Sequence, residues 1–192
     1  MLKLELQWHT GIDWVQTVLN DFDRFLQDHA AAEKKAAGMA TSMLSHYPDR
    51  TKLVNAMAEL AVEEMMHFRE VIRLLLKRNS GPGQDEKDPY VHQLRSHLRK
   101  GSDDYFLDRL LLGAVIEARG AERFGLIADH APDGELKTFY QSLARSEARH
   151  YELFTELALE YFDTERCQNR LNEWLSIEAG IASKLPLRPC LH

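Results

Sequence analysis

The sequence predicts an all-α protein built around a four-helix bundle, and three observations carry that expectation. Long segments rich in Ala, Leu, Glu, Lys and Arg, all good helix formers, alternate with short clusters of Gly and Pro, and β-branched clusters are absent. Apolar residues in the long segments recur in alternating steps of three and four, which lines one face of a helix. One connection is far longer than the others.

Taken in order, a helix near 13–19 precedes long helices near 20–46, 50–79, 103–130 and 133–161. The breaks between them fall at His46-Tyr47-Pro48-Asp49, at Ser80-Gly81-Pro82-Gly83-Gln84-Asp85 running on to Asp88-Pro89, and at Ala131-Pro132-Asp133-Gly134. A short helix near 90–99 follows the glycine loop, and another near 165–182 precedes Pro186 and Pro189. Asp49, Asp103 and Asp133 are the expected N-caps. The long link, about 80 to 102, joins the second and third long helices, and one long crossover among short loops is the ferritin-like topology. The expected architecture is therefore a single domain over 1–192: a bundle core of about 20–161, extra N-terminal and crossover helices, and a C-terminal helix and tail over about 162–192.

Composition narrows the function classes. Hydrophobic residues make up 44% and charged residues 28%, ordinary for a globular chain of 192 residues. A net charge of −6 rules out a generically basic nucleic-acid coat, though not a local basic patch. Cys167 and Cys190 supply no disulfide framework and no CxxC motif. Met1 to Trp8 alternates charged and apolar residues, unlike a signal peptide, and no apolar run reaches the roughly 20 residues of a membrane span. The expected setting is the reducing cytoplasm, with no membrane partner.

The core stripes are interrupted in a regular way. In the second long helix the stripe reads Leu53, Met57, Leu60, Glu64, His67, Val71 and Leu74. In the fourth it reads Leu136, Tyr140, Leu143, Glu147, His150, Phe154, Leu157 and Tyr161. The first carries Phe22, Leu26, His29, Glu33, Ala36, Ala40, Met43 and Tyr47, and the third Phe106, Leu110, Gly113, Glu117, Gly120, Phe124 and Ile127. Each stripe has a glutamate near mid-helix, and two add a histidine three residues on. Glu33 and Glu117 are 84 residues apart, and Glu64 and Glu147, like His67 and His150, are 83 apart. The halves read as two repeated helical hairpins related by a pseudo-twofold axis.

Four glutamates inside an apolar bundle would repel one another and lose hydration, each costing several kcal/mol unless neutralised. Two divalent cations supply the missing charge, and carboxylate oxygens with imidazole nitrogens suit iron or manganese. Glu at i and His at i+3 share a helix face and can reach one ion. The expected ligands are Glu33, Glu64, His67, Glu117, Glu147 and His150, a dinuclear carboxylate constellation. Glu63 is a candidate to orient an imidazole from behind, with Ser146 at the corresponding place in the other half. His29, one turn before Glu33, is either a supporting group or a satisfied core histidine. Gly113 and Gly120 flank Glu117 and serve either close helix packing or room for oxygen and substrate. Such a centre could oxygenate an organic substrate, handle peroxide or oxidise iron for storage.

Several runs narrow these outcomes. Asp28-His29-Ala30-Ala31-Ala32-Glu33-Lys34-Lys35-Ala36-Ala37, Glu63-Glu64-Met65-Met66-His67-Phe68, Ile116-Glu117-Ala118-Arg119-Gly120-Ala121-Glu122-Arg123-Phe124, Phe139-Tyr140 and Ser146-Glu147-Ala148-Arg149-His150 together resemble the MiaE family. These are tRNA 2-methylthio-N6-isopentenyladenosine hydroxylases. The resemblance covers about 20–160 and departs at Gly120, where Ser or a similar small residue is expected, and in the tail from Leu185 to His192. It implies O2-dependent hydroxylation of the isopentenyl side chain of a hypermodified adenosine beside the tRNA anticodon. It also implies two iron ions on the same six ligands, O2 as co-substrate, and electrons from a separate reductase or ferredoxin-type donor. The alternatives are another diiron or dimanganese oxidase or peroxidase acting on a small molecule, and an iron-storage bundle.

A tRNA anticodon stem-loop needs cations to meet it. Arg69, Arg73 and Lys77 share a helix face, and Arg119, Arg123 and Arg149 stand in i, i+4 pairs, the last with Arg145. Arg95, Arg99 and Lys100 form a further cluster in the crossover.

Overall fold

The computed structural model describes residues 2–192, so Met1, the first residue of the opening stretch, lies outside it. Among the described residues seven helices form: α1 (Ile12–Asn20), α2 (Phe22–His46), α3 (Thr51–Lys77), α4 (Pro89–Arg95), α5 (Ser102–His130), α6 (Glu135–Tyr161) and α7 (Thr164–Ala182). Among the described residues there is no strand. No helix among them is long and apolar enough to cross a membrane. The chain falls into two compact units. One holds Gln16–Lys87 and Arg188–Leu191; the other holds the described residues through Val15, Asp88–Leu187 and His192.

The first unit is the α2–α3 hairpin. Phe22, Phe25, Leu26, Ala40 and Met43 of α2 and Leu53, Met57, Leu60 and Val71 of α3 are buried. At the end of α3, Leu75 takes the buried place expected for Leu74. A straight helix turns once in 3.6 residues, so a strict 3.5-residue stripe drifts off the core over six turns, and a second step of four restores it.

The second unit is built on the α5–α6 hairpin, with α4 and α7 added. Helix α5 is buried on nearly every side, from Phe106 to Ala128. Gly113 on α5 is a close-approach glycine: a Cβ there would sit 2.9 Å from the ring of Phe154 on α6. Phe154 is itself fully buried and has nowhere to retreat. Gly113→Ala is therefore expected to destabilise the fold by about 1–2 kcal/mol in denaturant unfolding, because overpacking outweighs the gain in helix propensity. An unchanged or raised midpoint would show that the ring can yield.

The expected N-caps are corrected. Arg50, Gly101 and Gly134 hold the cap positions of α3, α5 and α6. Gly101 and Gly134 have φ of 108° and 132°, a backbone turn that an aspartate would strain to adopt. Asp103 moves into the first turn of α5, where it still complements the helix dipole. Asp133 lies outside α6 and accepts from Lys137 Nζ at 2.9 Å. The aspartates that do cap are Asp163, accepting from Arg166 N at 2.8 Å, and Asp88.

Asp88 accepts from Tyr90 N at 2.8 Å and Val91 N at 3.1 Å, and from His192 Nδ1 at 3.0 Å. Burial would raise its pKa, but the His192 imidazole and the two backbone N–H groups outweigh that and hold it at about 2. A depressed carboxylate contributes stability above its unfolded pKa and loses it as pH falls through the folded one. The Asp88→Asn protein is thus expected to be about 1–2 kcal/mol less stable than wild type near pH 7, with the gap closing between about pH 4 and pH 2. Urea unfolding across that range measures it, and a pH-independent gap would contradict the assignment.

Candidate metal centre

Helical phase places the six expected ligands in two trios, one in each unit. In the α2–α3 unit, Glu33, Glu64 and His67 each offer a ligand atom, all within 4.8 Å of one another. His67 Nδ1 lies 3.7 Å from Glu33 Oε2 and 3.5 Å from Glu64 Oε2. In the α5–α6 unit, Glu117, Glu147 and His150 meet the same limit, with His150 Nδ1 3.6 Å from Glu117 Oε2. The four carboxylates and His150 are buried, and His67 is partly exposed.

The donors fit a metal ion. Separations of 3.5–3.7 Å are longer than a hydrogen bond. Two donors that each stand about 2.1 Å from a shared divalent ion lie about 3.0–4.2 Å apart for bond angles of 90–180°. The donor set of carboxylates and imidazoles, with no thiolate, matches iron or manganese. Gly120 adds a cradle: a Cβ there would come within 3.2 Å of Glu147 Oε2, so a larger residue would push the carboxylate. This places Gly120 beside the site, whereas Gly113 serves helix packing against Phe154.

Protonation tells the same story. Burial would raise the Glu33 pKa, but hydrogen bonds from His29 and then His67 hold it well below the usual carboxylate range. Burial would lower the His67 pKa, yet the Glu33 and Glu64 carboxylates push it up to about 9. In the metal-free protein a proton on His67 thus occupies a place between two carboxylates that a divalent ion could take.

His29 sits inside α2 with a polar partner. Fully buried, it donates from Nε2 to Glu33 Oε1 at 2.6 Å. It is a satisfied core histidine because its partner is a candidate ligand, whose orientation it fixes. The position 84 residues later is Gly113, so this histidine is not repeated in the other half. Glu63 lies 3.9 Å from His67 Nε2 and is more than a third exposed, an ion-pair neighbour and not a hydrogen-bonded one.

The cation candidates divide. Arg69 and Arg73 are exposed on α3, each reaching Glu70, and Lys77 is exposed on the same face. Arg149 is exposed on α6 and donates to Ser146 Oγ at 3.0 Å. Arg119 and Arg123, expected among the tRNA contacts, lie in the interior instead. Arg119 is fully buried and donates to Glu178 Oε1 and Oε2 at 2.8 and 2.9 Å and to the Trp8 carbonyl at 2.9 Å, and it pairs with Glu122. Arg123 donates to Thr10 Oγ1 at 3.2 Å and stands over the Trp14 ring, and burial lowers its pKa to about 10. Neither is available to phosphate. Sequence reasoning missed this network because its acid, Glu178, arrives from α7, 59 residues away.

Known proteins resemble the chain over most of its length. The family model described as tRNA-(MS[2]IO[6]A)-hydroxylase (MiaE) matches residues 2–192. The chain belongs to the MiaE family. A MiaE relative from Pseudomonas putida, tRNA 2-(methylsulfanyl)-N(6)-isopentenyladenosine(37) hydroxylase, is 38% identical over 150 residues, covering 78% of this chain and 73% of that one. The Salmonella typhimurium protein of the same name is 34% identical over 130 residues, covering 68% of this chain and 47% of its own length. A solved structure described as "Protein 43 with aldehyde deformylating oxygenase activity from Synechococcus" is also similar. It matches with a TM-score of 0.94 and 33% identity over 99% of this chain and 96% of that one. The expected all-α, ferritin-like fold of this MiaE-family chain is borne out, with the extra helices α1, α4 and α7 in place.

Proposed function

We propose that this MiaE-family chain is an O2-dependent diiron monooxygenase of the cytoplasm that hydroxylates the isopentenyl side chain of the hypermodified adenosine beside the tRNA anticodon. The observation that carries the reading is the pair of buried carboxylate–histidine trios in a chain matched along its length by the hydroxylase family. Glu33, Glu64, His67, Glu117, Glu147 and His150 together would hold two iron ions. When bound, the iron pair supplies the redox chemistry that activates O2, with electrons from a separate reductase or ferredoxin-type donor.

The chain's own residues do the rest. His29 fixes the Glu33 carboxylate, and the buried lining keeps bulk water from the carboxylates. Arg69, Arg73, Lys77 and Arg149 offer exposed cations to the phosphates of an anticodon stem-loop. Its splayed bases can enter a pocket without melting a duplex. Binding should then weaken steeply with salt. The likeness to the Synechococcus oxygenase, at 33% identity over 99% of the chain, supports a second reading as an oxygenase of a small molecule.

A nucleoside mass spectrum of total tRNA, with and without the gene, separates the two. Loss of the hydroxylated nucleoside, with accumulation of its precursor, is the expected result. Unchanged spectra in a host that makes the nucleoside would reject the tRNA reading, and turnover of an aldehyde by the purified protein would then favour the second.

A further inference from the structure

The connection from α3 to α4 carries Asp85 and Glu86 on a stretch, 82–87, in which every residue is exposed. No apolar anchor holds it. Charge and a few polar bonds hold it instead, and nearly all of the charge comes from α2. Lys34 Nζ donates to both oxygens of Asp85, at 2.9 and 2.8 Å. Lys35 Nζ donates to the Glu86 carbonyl at 2.7 Å, and Arg24 Nη2 meets Glu86 Oε1 at 2.5 Å. Gln27 Nε2 donates to the Gly81 carbonyl at 3.0 Å, and Arg78 pairs with Asp23 at the base of the loop.

Seen without the loop, α2 presents a cationic face. Arg24 and Lys35 are eleven residues apart and so fall on one side of the helix, about 16 Å from each other. Lys34 lies beside them, and Lys34 and Lys35 directly follow the candidate ligand Glu33. The face is therefore at the level of the metal centre along α2. The loop carboxylates cover it as two phosphates of a nucleic-acid strand would.

We propose that Arg24, Lys34 and Lys35 form an RNA-phosphate-binding face that Asp85 and Glu86 occupy in the free protein, and that bound RNA displaces the loop. The inference rests on the RNA-substrate reading above. Exposed ion pairs are each worth about 0–1 kcal/mol, so a polyanion offering several phosphates can compete with two carboxylates. Glycines at 81 and 83 give the strap freedom to swing once released. The loop would also exclude weakly charged ligands from the face at no catalytic expense.

The test is the affinity of the full chain for an anticodon stem-loop RNA by fluorescence anisotropy, at several salt concentrations. The Asp85→Asn/Glu86→Gln variant should bind about three- to tenfold tighter than wild type. The Lys34→Ala/Lys35→Ala variant should bind more weakly, with a salt slope shallower by about one unit. In the quadruple variant the gain from neutralising the loop should shrink to the part that Arg24 supplies, which separates local competition from a general change in net charge. Unchanged or weaker binding on loop neutralisation, or a gain undiminished without the lysines, would overturn the inference. If wild type binds the RNA and hydroxylates tRNA while those results hold, only the inference falls. If neither wild type nor the loop variant binds the RNA, both readings fall.

Discussion

Glu64→Gln is expected to fold normally and to lose its metal. The side chain keeps its shape, but one of two carboxylates facing His67 becomes neutral. Metal content should fall to less than half that of wild type, and hydroxylation by at least about 100-fold, beyond the loss typical of removing a supporting group. Stability separates this from misfolding. Metal-free Glu64→Gln should melt within a few degrees of metal-free wild type, because it gives up a buried charge together with that charge's pairing to His67. Wild type should gain melting temperature on adding Fe(II) or Mn(II), and the variant should gain much less. A variant with wild-type metal content and the same metal-induced shift would remove Glu64 from the ligand set.

Protons give an independent readout. His67 has a pKa pushed up to about 9, against an ordinary value of 6.5. Its contribution to the metal-free fold is therefore complete below about pH 6.5 and is lost as pH rises through about 9. An ion that takes the same place must displace the proton, so metal uptake near pH 7 should release it to a weakly buffered solution, and the release should fade above about pH 9.

The second large effect belongs to Arg119. Removing it as Arg119→Met leaves Glu178 fully buried with the Tyr90 hydroxyl, at 3.0 Å, as a neutral donor. Breaking one side of a buried pair typically costs about 3–5 kcal/mol. For a chain of this length that corresponds to a melting temperature lower by about 6–20 °C. Removing both charges, as Arg119→Met/Glu178→Leu, should restore most of the loss, since Glu122 is partly exposed and can be hydrated. A single variant within about 1 kcal/mol of wild type would show that the pair does not hold α5 against α7. The effect reaches the site indirectly, because Arg119 lies two residues from Glu117 on the same helix.

Much of this was readable in advance. The six candidate ligands, the helix boundaries within a few residues and the ferritin-like fold all follow from local periodicity, which one chain carries in full. What escaped depends on distant partners. Arg119 and Arg123 read as an exposed i, i+4 pair because most arginines are exposed, and only α7 and the N-terminal segment turn them inward. The capping aspartates were misplaced because a glycine at positive φ can start a helix as sharply as a side-chain cap. The grip of Lys34 and Lys35 on the crossover loop spans 51 residues and leaves no trace in spacing.

The contrast between His29 and Gly113 reaches past either residue. Two hairpins that repeat their candidate ligands do not repeat this position: His29 donates to Glu33, whereas its counterpart 84 residues on is Gly113, packed against the Phe154 ring. A braced carboxylate loses less freedom on capturing an ion than an unbraced one. Glu33 therefore meets an ion with part of that freedom already given up. Preorganisation of this kind is supplied by a residue that the ion itself need never touch.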